Sequence, residues 1–487
     1  MEKLNNLEPK VVWGYFEEIC QVPRPSKKED QIINFLMDFA KKNQLEAKKD
    51  KSGNILIKKP ATAGKENLKT VVLQSHIDMV GEKNKGTEHD FEKDPIKPYI
   101  DGDWVKAEGT TLGADDGIGM AAQMAILTSR EISHGPIECL FTVDEETGLT
   151  GAFALESGFF DGKILLNLDS EDEGELFIGC AGGIDTTARL SFDKENVPGD
   201  HKAFRLFVTG LNGGHSGDEI DKGLGNSLKL ANRFLWNINE RFETQLSKFE
   251  GGRARNAIPR EADVTFTVHE EDVDQLNDYF NTFKEDVKNE LKVTEPNLEL
   301  TLEKTDKPEY VIDEDSYYDL TNALYACPHG VYGWSPEIEG LVETSTNLAS
   351  IKLDDEERFF ITTSQRSSVD SAKYDIASMV ESVFRLAGAK VDHSAGYPGW
   401  QPNTDSEIMK ITRDAYKRLF DTDPEVKAIH AGLECGLFLQ KYPYLDMISF
   451  GPTIKGAHTP EERISIETTQ KFWKLLVEVI VNTPEDK

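Results

Sequence analysis

A histidine and an aspartate follow a short apolar stretch early in the chain. His76 and Asp78 lie at the end of TVVLQSHIDM, which covers residues 70–79. The β-branched residues before them predict a buried strand, and open α/β sheets place ligand sites at the C-terminal ends of such strands. Side chains alternate along an extended chain, so His76 and Asp78 share one side. The pair predicts a metal-binding imidazole oriented by a carboxylate, although a single histidine at a strand end also fits a purely structural role.

Carboxylates occupy the ends of further predicted elements. Asp115 and Asp116 lie in the sequence GADDGIG, directly before a predicted helix over 118–130. Either aspartate alone fits a helix cap. The glycines around them, however, also permit an unusual backbone that a cap does not require.

Two more predicted strands end in acidic residues. A strand over 136–143 runs into DEETG, which contains Glu145 and Glu146, and a strand over 163–168 runs into Asp169. Three consecutive carboxylates after an apolar strand repel one another, and a bound cation explains them better than a solvated loop. The repetition of polar residues at strand ends favours one shared site over several unrelated ones.

These residues form a single hypothesis of a two-metal site. Its members are His76, Asp115 or Asp116, Glu145 or Glu146, Asp169, and His458 in the C-terminal sequence GAHTP. Nitrogen and oxygen donors of this kind suit two divalent ions such as zinc or manganese. Two adjacent ions need a bridging carboxylate and an activated water, and one glutamate must stay free of metal to act as general base. The adjacent glutamates offer both roles.

Composition limits the class of protein. The chain has 55 basic and 87 acidic residues, which gives a formal net charge of −32. We expect such a chain to repel nucleic acid and anionic membranes. No apolar run approaches the roughly 18 residues of a membrane span, and the N-terminal residues lack a signal pattern. The five scattered cysteines form no CxxC pair. We therefore expect a cytoplasmic protein.

The length of 487 residues predicts more than one domain. Strands and amphipathic helices alternate between 186 and 390, which predicts an inserted α/β sandwich with one helical layer. The flanking segments 1–185 and 391–487 are predicted to form one discontinuous α/β domain with a central mixed sheet. Near its start, Ser26 is predicted to cap a helix over 27–43, with Glu29 as its capping-box partner.

The motifs together resemble those of the M20 metallopeptidase family. HxD after a strand, GADDG, DEETG, a distant aspartate after a strand, and GAHTP match its metal core. Longer stretches are similar to the dipeptidases of the family that act on Xaa-His peptides: QSHIDMV, GCAGGID, GGHSG, RNAIPREA, AGYPGWQP and IHAGLECGLF. The resemblance covers nearly the whole chain and is weakest at about 270–340.

The resemblance implies a role for each matching position. It implies two Zn²⁺ ions, with Mn²⁺ or Co²⁺ as substitutes, and five ligands: His76 and Asp169 on one ion, Glu146 and His458 on the other, and Asp115 on both. Asp78 would orient His76, and Glu145 would be the general base and later the proton donor. A non-proline cis peptide bond after Asp115 is also implied.

The inserted domain would then be a lid that contributes to substrate binding. His215 in GGHSG would help to stabilise the oxyanion, and Asn256 and Arg366 match positions that bind substrate. Gly432 would offer its backbone N–H to the substrate carboxylate. A guanidinium suits the free carboxylate of a dipeptide, although Arg366 also fits a surface ion pair. The resemblance makes a homodimer formed through the lid a candidate assembly.

We therefore expect a cytosolic metallodipeptidase that hydrolyses Xaa-His and a broader set of dipeptides. Two alternatives stay open. One is another M20-type enzyme, such as an aminopeptidase, a tripeptidase or a deacylase, which would share the metal core and differ in the lid. The other is a metal-binding protein without catalysis, which the retained Glu145 disfavours.

Overall fold

The computed structural model describes residues 3–486. They form two compact units. The first contains the chain up to Gly179, then Pro402–Ala428, and the chain from Leu433 onward; the second contains Cys180–Gln401 and Ile429–Gly432. The inserted segment predicted over 186–390 lies within the second unit.

Eleven α-helices lie within the described residues. In chain order they are Lys10–Ile19 (α1), Asp30–Lys42 (α2), Ala114–Thr128 (α3), Thr150–Ala154 (α4), Ser227–Asn239 (α5), Val273–Leu291 (α6), Glu314–Ala326 (α7), Asp370–Leu386 (α8), Glu407–Phe420 (α9), Glu434–Lys441 (α10) and Ile466–Val481 (α11). Within residues 3–486, none of them combines the length and apolar character needed to cross a bilayer.

The predicted cap of α2 is wrong. Lys27 has a φ of 68°, outside the helical region, so the helix begins later, with Glu29 at its N-cap position and no side-chain cap. Ser26 Oγ donates instead to Asp78 Oδ2 at 2.8 Å, and Glu29 Oε1 accepts from the Lys27 N–H at 2.8 Å. The Ser26 hydroxyl, which the sequence pattern predicts to cap a helix, thus binds Asp78 of the HxD motif.

The strands before the inserted segment belong to the first unit. They are Glu46–Lys49 (β1), Ile55–Lys59 (β2), Val71–His76 (β3), Pro98–Asp101 (β4), Trp104–Ala107 (β5), Ile137–Thr142 (β6), Ile164–Asn167 (β7) and Glu175–Cys180 (β8). All six residues of β3 and of β6, and all four of β7, are buried. This is the pattern expected for central strands of a sheet covered on both faces.

A second set of strands builds the inserted unit. They are Gly182–Leu190 (β9), Lys194–Glu195 (β10), His201–Thr209 (β11), Gly214–His215 (β12), Thr244–Gly251 (β13), Ala257–Ile258 (β14), Ala262–His269 (β15), Glu299–Thr305 (β16), Val311–Ile312 (β17), Gly330–Trp334 (β18), Val342–Leu353 (β19), Phe359–Ser367 (β20) and Lys390–His393 (β21). Nine of them form one sheet in the order β16-β11-β15-β13-β19-β20-β9-β21, with β18 paired to β19. Its core includes buried residues of α5, α6, α7 and α8.

The last strands complete the sheets of the first unit. They are Glu425–Ile429 (β22), Asp446–Ser449 (β23), Ile454–Lys455 (β24) and Arg463–Ser465 (β25). The main sheet has the order β1-β2-β6-β3-β7-β23-β8-β22. Its centre is parallel, whereas β1 and β2 pair antiparallel at one side. The predicted α/β fold with a central mixed sheet is confirmed.

Candidate metal centre and catalytic site

Three parallel strands end together at one edge of the main sheet. β3 lies between β6 and β7, and His76 stands opposite Thr142 in the register. Because parallel strands present their C-terminal ends at the same edge, the chain segments after β6 and β7 carry Glu145, Glu146 and Asp169 toward His76.

A first group of donors surrounds His76. Its Nε2 lies 3.0 Å from Asp115 Oδ1 and 3.3 Å from Asp169 Oδ1. The imidazole is buried, and the two carboxylates are nearly so. One nitrogen and two carboxylate oxygens thus lie within 4.8 Å of one another, which is close enough for them to bind one cation.

A second group shares Asp115 with the first. His458 Nε2 lies 3.2 Å from Asp115 Oδ2 and 2.9 Å from Glu146 Oε2. These three side chains also meet within 4.8 Å. The two oxygens of Asp115 therefore face different imidazoles, which is the arrangement that a carboxylate bridging two ions requires.

Asp116 has a different environment from Asp115. The peptide bond between the two residues is cis, as the resemblance implied, and neither residue has helical dihedral angles although both lie within α3. Asp116 Oδ1 accepts a hydrogen bond from the Gly119 N–H at 3.0 Å. Of the two aspartates that the sequence left open, only Asp115 contacts the histidines.

Asp78 lies behind His76 and links it to the DEETG loop. Its Oδ1 is 3.3 Å from His76 Nδ1 and accepts from the Glu145 N–H at 3.0 Å, while Oδ2 accepts from Ser26 Oγ and from the Glu146 N–H. Burial by itself would raise the pKa of Asp78, but contact with His76 and these hydrogen bonds keep it below its usual range. A charged Asp78 can fix both the imidazole and the loop.

The backbone before Asp115 is fixed by two buried charged residues. The carboxylate of Glu462 accepts hydrogen bonds from the N–H groups of this segment, and the Arg24 guanidinium donates to the Gly113 carbonyl. Gly113 has a φ of 68°, and a Cβ there would lie 2.6 Å from Arg24 Nη2. Glycine is therefore required at this point of the GADDG motif for both its backbone angle and its lack of a side chain.

Glu145 is a member of neither donor group. Burial raises the pKa of its carboxyl well above the usual range; His76 opposes this shift, and Asp169 adds to it. Its backbone is held by Asp78, while its neighbour Glu146 belongs to the second group. A carboxyl with a raised pKa beside a glutamate of the second donor group suits a group that takes up and returns a proton.

The donor set fits divalent cations. Burial, together with the neighbouring carboxylates, raises the pKa of Asp169 to about 7 and that of Glu171 to about 8. Hydrogen bonds to Asp115 and Glu146 raise the pKa of His458 to about 11. Protons reduce the repulsion between these neighbouring acids, and cations bound by the two donor groups would have the same effect. The mixture of imidazole and carboxylate donors suits zinc, manganese or cobalt.

Sequence reasoning missed several residues that support the site. Arg24, Glu462 and Glu434 carry no local pattern that links them to the HxD motif. Glu434 is 1% exposed, and its Oε2 accepts from Gln74 Nε2 at 2.6 Å and from Thr142 Oγ1 at 2.8 Å. Of these three residues, Glu434 could have been suspected from the sequence, because it is an acidic residue within the motif HAGLECG.

The predicted substrate-binding residues fall into two pairs within the second unit. His215 and Asn256 line one groove of about 1030 Å³, and His215 Nδ1 lies 3.0 Å from Asp218 Oδ2. Arg366 and Gly432 both contact Tyr397: Arg366 Nη1 donates to its hydroxyl at 3.1 Å, and Gly432 lies against its ring.

Comparison with known proteins agrees with this fold. Residues 72–482 match the family described as peptidase family M20/M25/M40. The chain therefore belongs to this family of metal-dependent peptidases, and it is an enzyme that hydrolyses peptide bonds.

Similar proteins extend over the full length. The chain is 47% identical to the cytosol non-specific dipeptidase of Escherichia coli K12, over 99% of this chain and 100% of that protein. It superimposes on the crystal structure of aminoacylhistidine dipeptidase from Vibrio alginolyticus with a TM-score of 0.94 and 46% identity, covering 100% and 99% of the two chains. A tripeptidase from Staphylococcus aureus shares the fold at a TM-score of 0.55 and 15% identity, with 98% of each chain covered.

Proposed function

We propose that this chain is a cytoplasmic dipeptidase that hydrolyses Xaa-His and other dipeptides by means of a two-zinc centre. The single observation that carries the mechanism is the position of Asp115, whose two oxygens face His76 and His458. The substrate class and the compartment are supported by the full-length similarity to the two dipeptidases.

Each ligand has a distinct place in this proposal. His76 and Asp169 would hold one ion, Glu146 and His458 the other, and Asp115 both. Bound divalent ions would supply a polarised carbonyl and a water of lowered pKa. Asp78 keeps the His76 imidazole in one orientation by lying against its Nδ1.

Glu145 would carry the proton transfers. As a carboxylate, it takes a proton from the attacking water; as a carboxylic acid, it returns the proton to the leaving amine. Its raised pKa supports the second step, because a carboxylate that takes up a proton more readily than an ordinary glutamate can carry it to the amine. In the second unit, His215 would stabilise the oxyanion, and Asn256, Arg366 and Gly432 would bind substrate.

A substrate panel tests the proposal. The chelated enzyme is reconstituted with zinc, manganese or cobalt and assayed with Xaa-His dipeptides, other dipeptides, tripeptides and acylated amino acids. We expect dipeptides of both kinds to be cleaved and the longer or acylated substrates to be poor. Cleavage of tripeptides or acylated amino acids alone would favour the other M20-type activities, and the absence of hydrolysis with every metal would favour a binding protein.

A further inference from the structure

Tyr397 lies in one sequence motif and contacts two others, and the two donor groups do not account for any of the three. It lies in AGYPGWQP, and its backbone N–H donates to the Gly183 carbonyl of GCAGGID at 2.8 Å. The Gly183 N–H donates back to the Tyr397 carbonyl at 3.0 Å. The third motif, IHAGLECG, supplies Gly432.

The Tyr397 ring packs against bare backbone at both glycines. A Cβ on Gly183 would lie 2.7 Å from the ring atoms Cε1 and Cζ, and a Cβ on Gly432 would lie 2.8 Å from Cε2. Real side chains do not approach so closely, so both positions exclude any residue larger than glycine while the ring stays where it is. The glycines of two motifs thus make room for one aromatic ring.

A buried lysine holds the backbone of the same residue. Lys373 is 1% exposed, and its Nζ donates to the Tyr397 carbonyl at 2.7 Å and to Asp370 Oδ1 at 2.8 Å. The backbone and the ring of Tyr397 are therefore both fixed, which leaves its hydroxyl at a defined position.

That hydroxyl meets a buried guanidinium. Arg366 is 7% exposed and donates from Nη1 to the Tyr397 oxygen at 3.1 Å. Among the described residues, the buried Nε of Arg366 has no hydrogen-bond partner. A guanidinium buried in this way is costly unless an anion joins it.

We propose that Tyr397 is a positioning residue that orients Arg366 to receive the free carboxylate of a dipeptide. This inference rests on the proposed function, because it concerns how that substrate is selected. Bidentate binding of a carboxylate requires the planar guanidinium in one orientation. The Tyr397 phenol, fixed by two glycines and a lysine, can hold the Arg366 guanidinium in that orientation. Because the phenol is neutral, it leaves the positive charge of Arg366 free to pair with the substrate carboxylate.

Burial supports the neutral state of the phenol. It raises the pKa of Tyr397, although Arg366 opposes the shift. The hydroxyl therefore keeps its proton at neutral pH, and its oxygen accepts from Arg366 as an ordinary hydrogen-bond acceptor.

The test is Tyr397→Phe, which keeps the ring and removes the hydroxyl. We expect KM for a dipeptide to rise about tenfold or more, the usual effect of losing a hydrogen bond to a charged group, while kcat changes little. The same dipeptide with a C-terminal amide lacks the carboxylate, so its KM should be equal in the two enzymes. If the amide is cleaved too slowly, its inhibition constant replaces KM.

A matched control removes a tyrosine hydroxyl elsewhere in the same unit. Tyr317 is buried, and its hydroxyl donates to the Leu235 carbonyl at 3.3 Å. Tyr317→Phe should leave the preference for the free acid over the amide unchanged, whereas Tyr397→Phe should reduce it.

The possible results separate this inference from the proposed function. An active wild-type enzyme with an unchanged KM in Tyr397→Phe would overturn the role of Tyr397 alone. An equal loss for acid and amide, or a loss confined to kcat, would also overturn it. A wild-type enzyme that cleaves no dipeptide would overturn the proposed function and the inference together.

Discussion

The carboxylate of Glu462 is hydrogen-bonded to the backbone that leads into Asp115. It accepts from four successive N–H groups: Leu112 at 2.8 Å, Gly113 at 3.0 Å, Ala114 at 2.7 Å and Asp115 at 3.4 Å. Glu462 follows His458 in the same C-terminal loop. One loop therefore supplies a donor to the second group and also fixes the aspartate that both groups share.

Glu462→Gln should weaken metal binding about tenfold to hundredfold, the usual cost of losing support for a metal ligand. The amide replaces one acceptor oxygen with an NH₂ group, which faces backbone N–H groups and repels them. The segment before Asp115 would then lose its fixed position. Metal content measured after dialysis against a series of buffered zinc concentrations gives the affinity.

The neighbouring Glu461 provides the control. It is exposed, unlike Glu462, so Glu461→Gln changes the charge of the loop by the same amount without touching the segment before Asp115. Its zinc affinity should match that of the wild type. Equal affinities in all three proteins would mean that Glu462 does not support the metal site.

Glu145→Gln should separate metal binding from catalysis. Because Glu145 belongs to neither donor group, we expect the variant to retain its full metal content. The amide cannot accept a proton from water, so kcat should fall about 100-fold to 10,000-fold. Metal analysis and dipeptide assays on one sample check both statements. A variant with normal metal content and normal kcat would exclude Glu145 as the general base.

Much of the site was predictable because its signals are local. The apolar runs of β3, β6 and β7 predict buried strands, and the polar residues directly after them mark the edge where ligands bind. His76, the glutamate pair and Asp169 could therefore be predicted to meet without knowledge of the fold. The predicted segments over 136–143 and 163–168 contain Ile137–Thr142 and Ile164–Asn167.

The choice between neighbouring acids was not predictable from these local signals. Asp115 and Asp116 differ in role because their carboxylates have different partners: Asp115 faces the two histidines, whereas Asp116 accepts from the Gly119 N–H. Similarly, Ser26 and Glu29 have the spacing of a capping box, but the backbone at Lys27 is left-handed. The Ser26 hydroxyl therefore donates to Asp78 and does not cap the helix. In both cases tertiary contacts override a local preference.

Other residues of the site could not be predicted because they act through contacts between distant parts of the chain. Glu462 acts on a segment about 350 residues earlier in the chain, and no periodicity or motif spacing encodes that distance. The strand β13 has a weak sequence signal for another reason. A bulge between Leu246 and Lys248 interrupts its pairing with β15, so the alternation of buried and exposed residues that identifies a strand is broken.

Addition of zinc to the chelated protein should release protons at pH 7. His458, with a pKa of about 11, is protonated at this pH, and Asp169 and Glu171, with pKa values of about 7 and 8, are partly so. His458 and Asp169 must lose their protons to bind a metal ion, and the added positive charge also lowers the pKa of the nearby Glu171. We therefore expect about one proton or more per ion. Calorimetric titrations in buffers of different ionisation enthalpy measure the number.

His458→Gln is the matching variant for this titration. It removes the most basic of the three groups, so it should release fewer protons per bound ion than the wild type. Zinc binding without proton release in the wild type would contradict the predicted protonation of the metal-free site.

The free energy of unfolding of the metal-free protein should fall as the pH rises, because of the buried carboxyl of Glu434. Burial, with Asp169 and Asp78 nearby, raises the pKa of its carboxyl from 4.5 to about 8 against the effect of His76. Between these two values the folded protein holds a proton that the unfolded chain has lost. The free energy of unfolding therefore falls with increasing pH across this window, by at most about 1.4 kcal/mol per pH unit from this group.

Glu434→Gln removes this contribution, so its free energy of unfolding should decline less steeply than that of the wild type between pH 5 and pH 8. Urea unfolding of both chelated proteins across this range measures the difference. Exposed Glu131 gives the control, because Glu131→Gln makes the same change at the surface and should leave the wild-type slope intact. If Glu434→Gln also kept that slope, the buried carboxyl would not be protonated in the folded protein, and its hydrogen bonds with Gln74 and Thr142 would be those of a charged group.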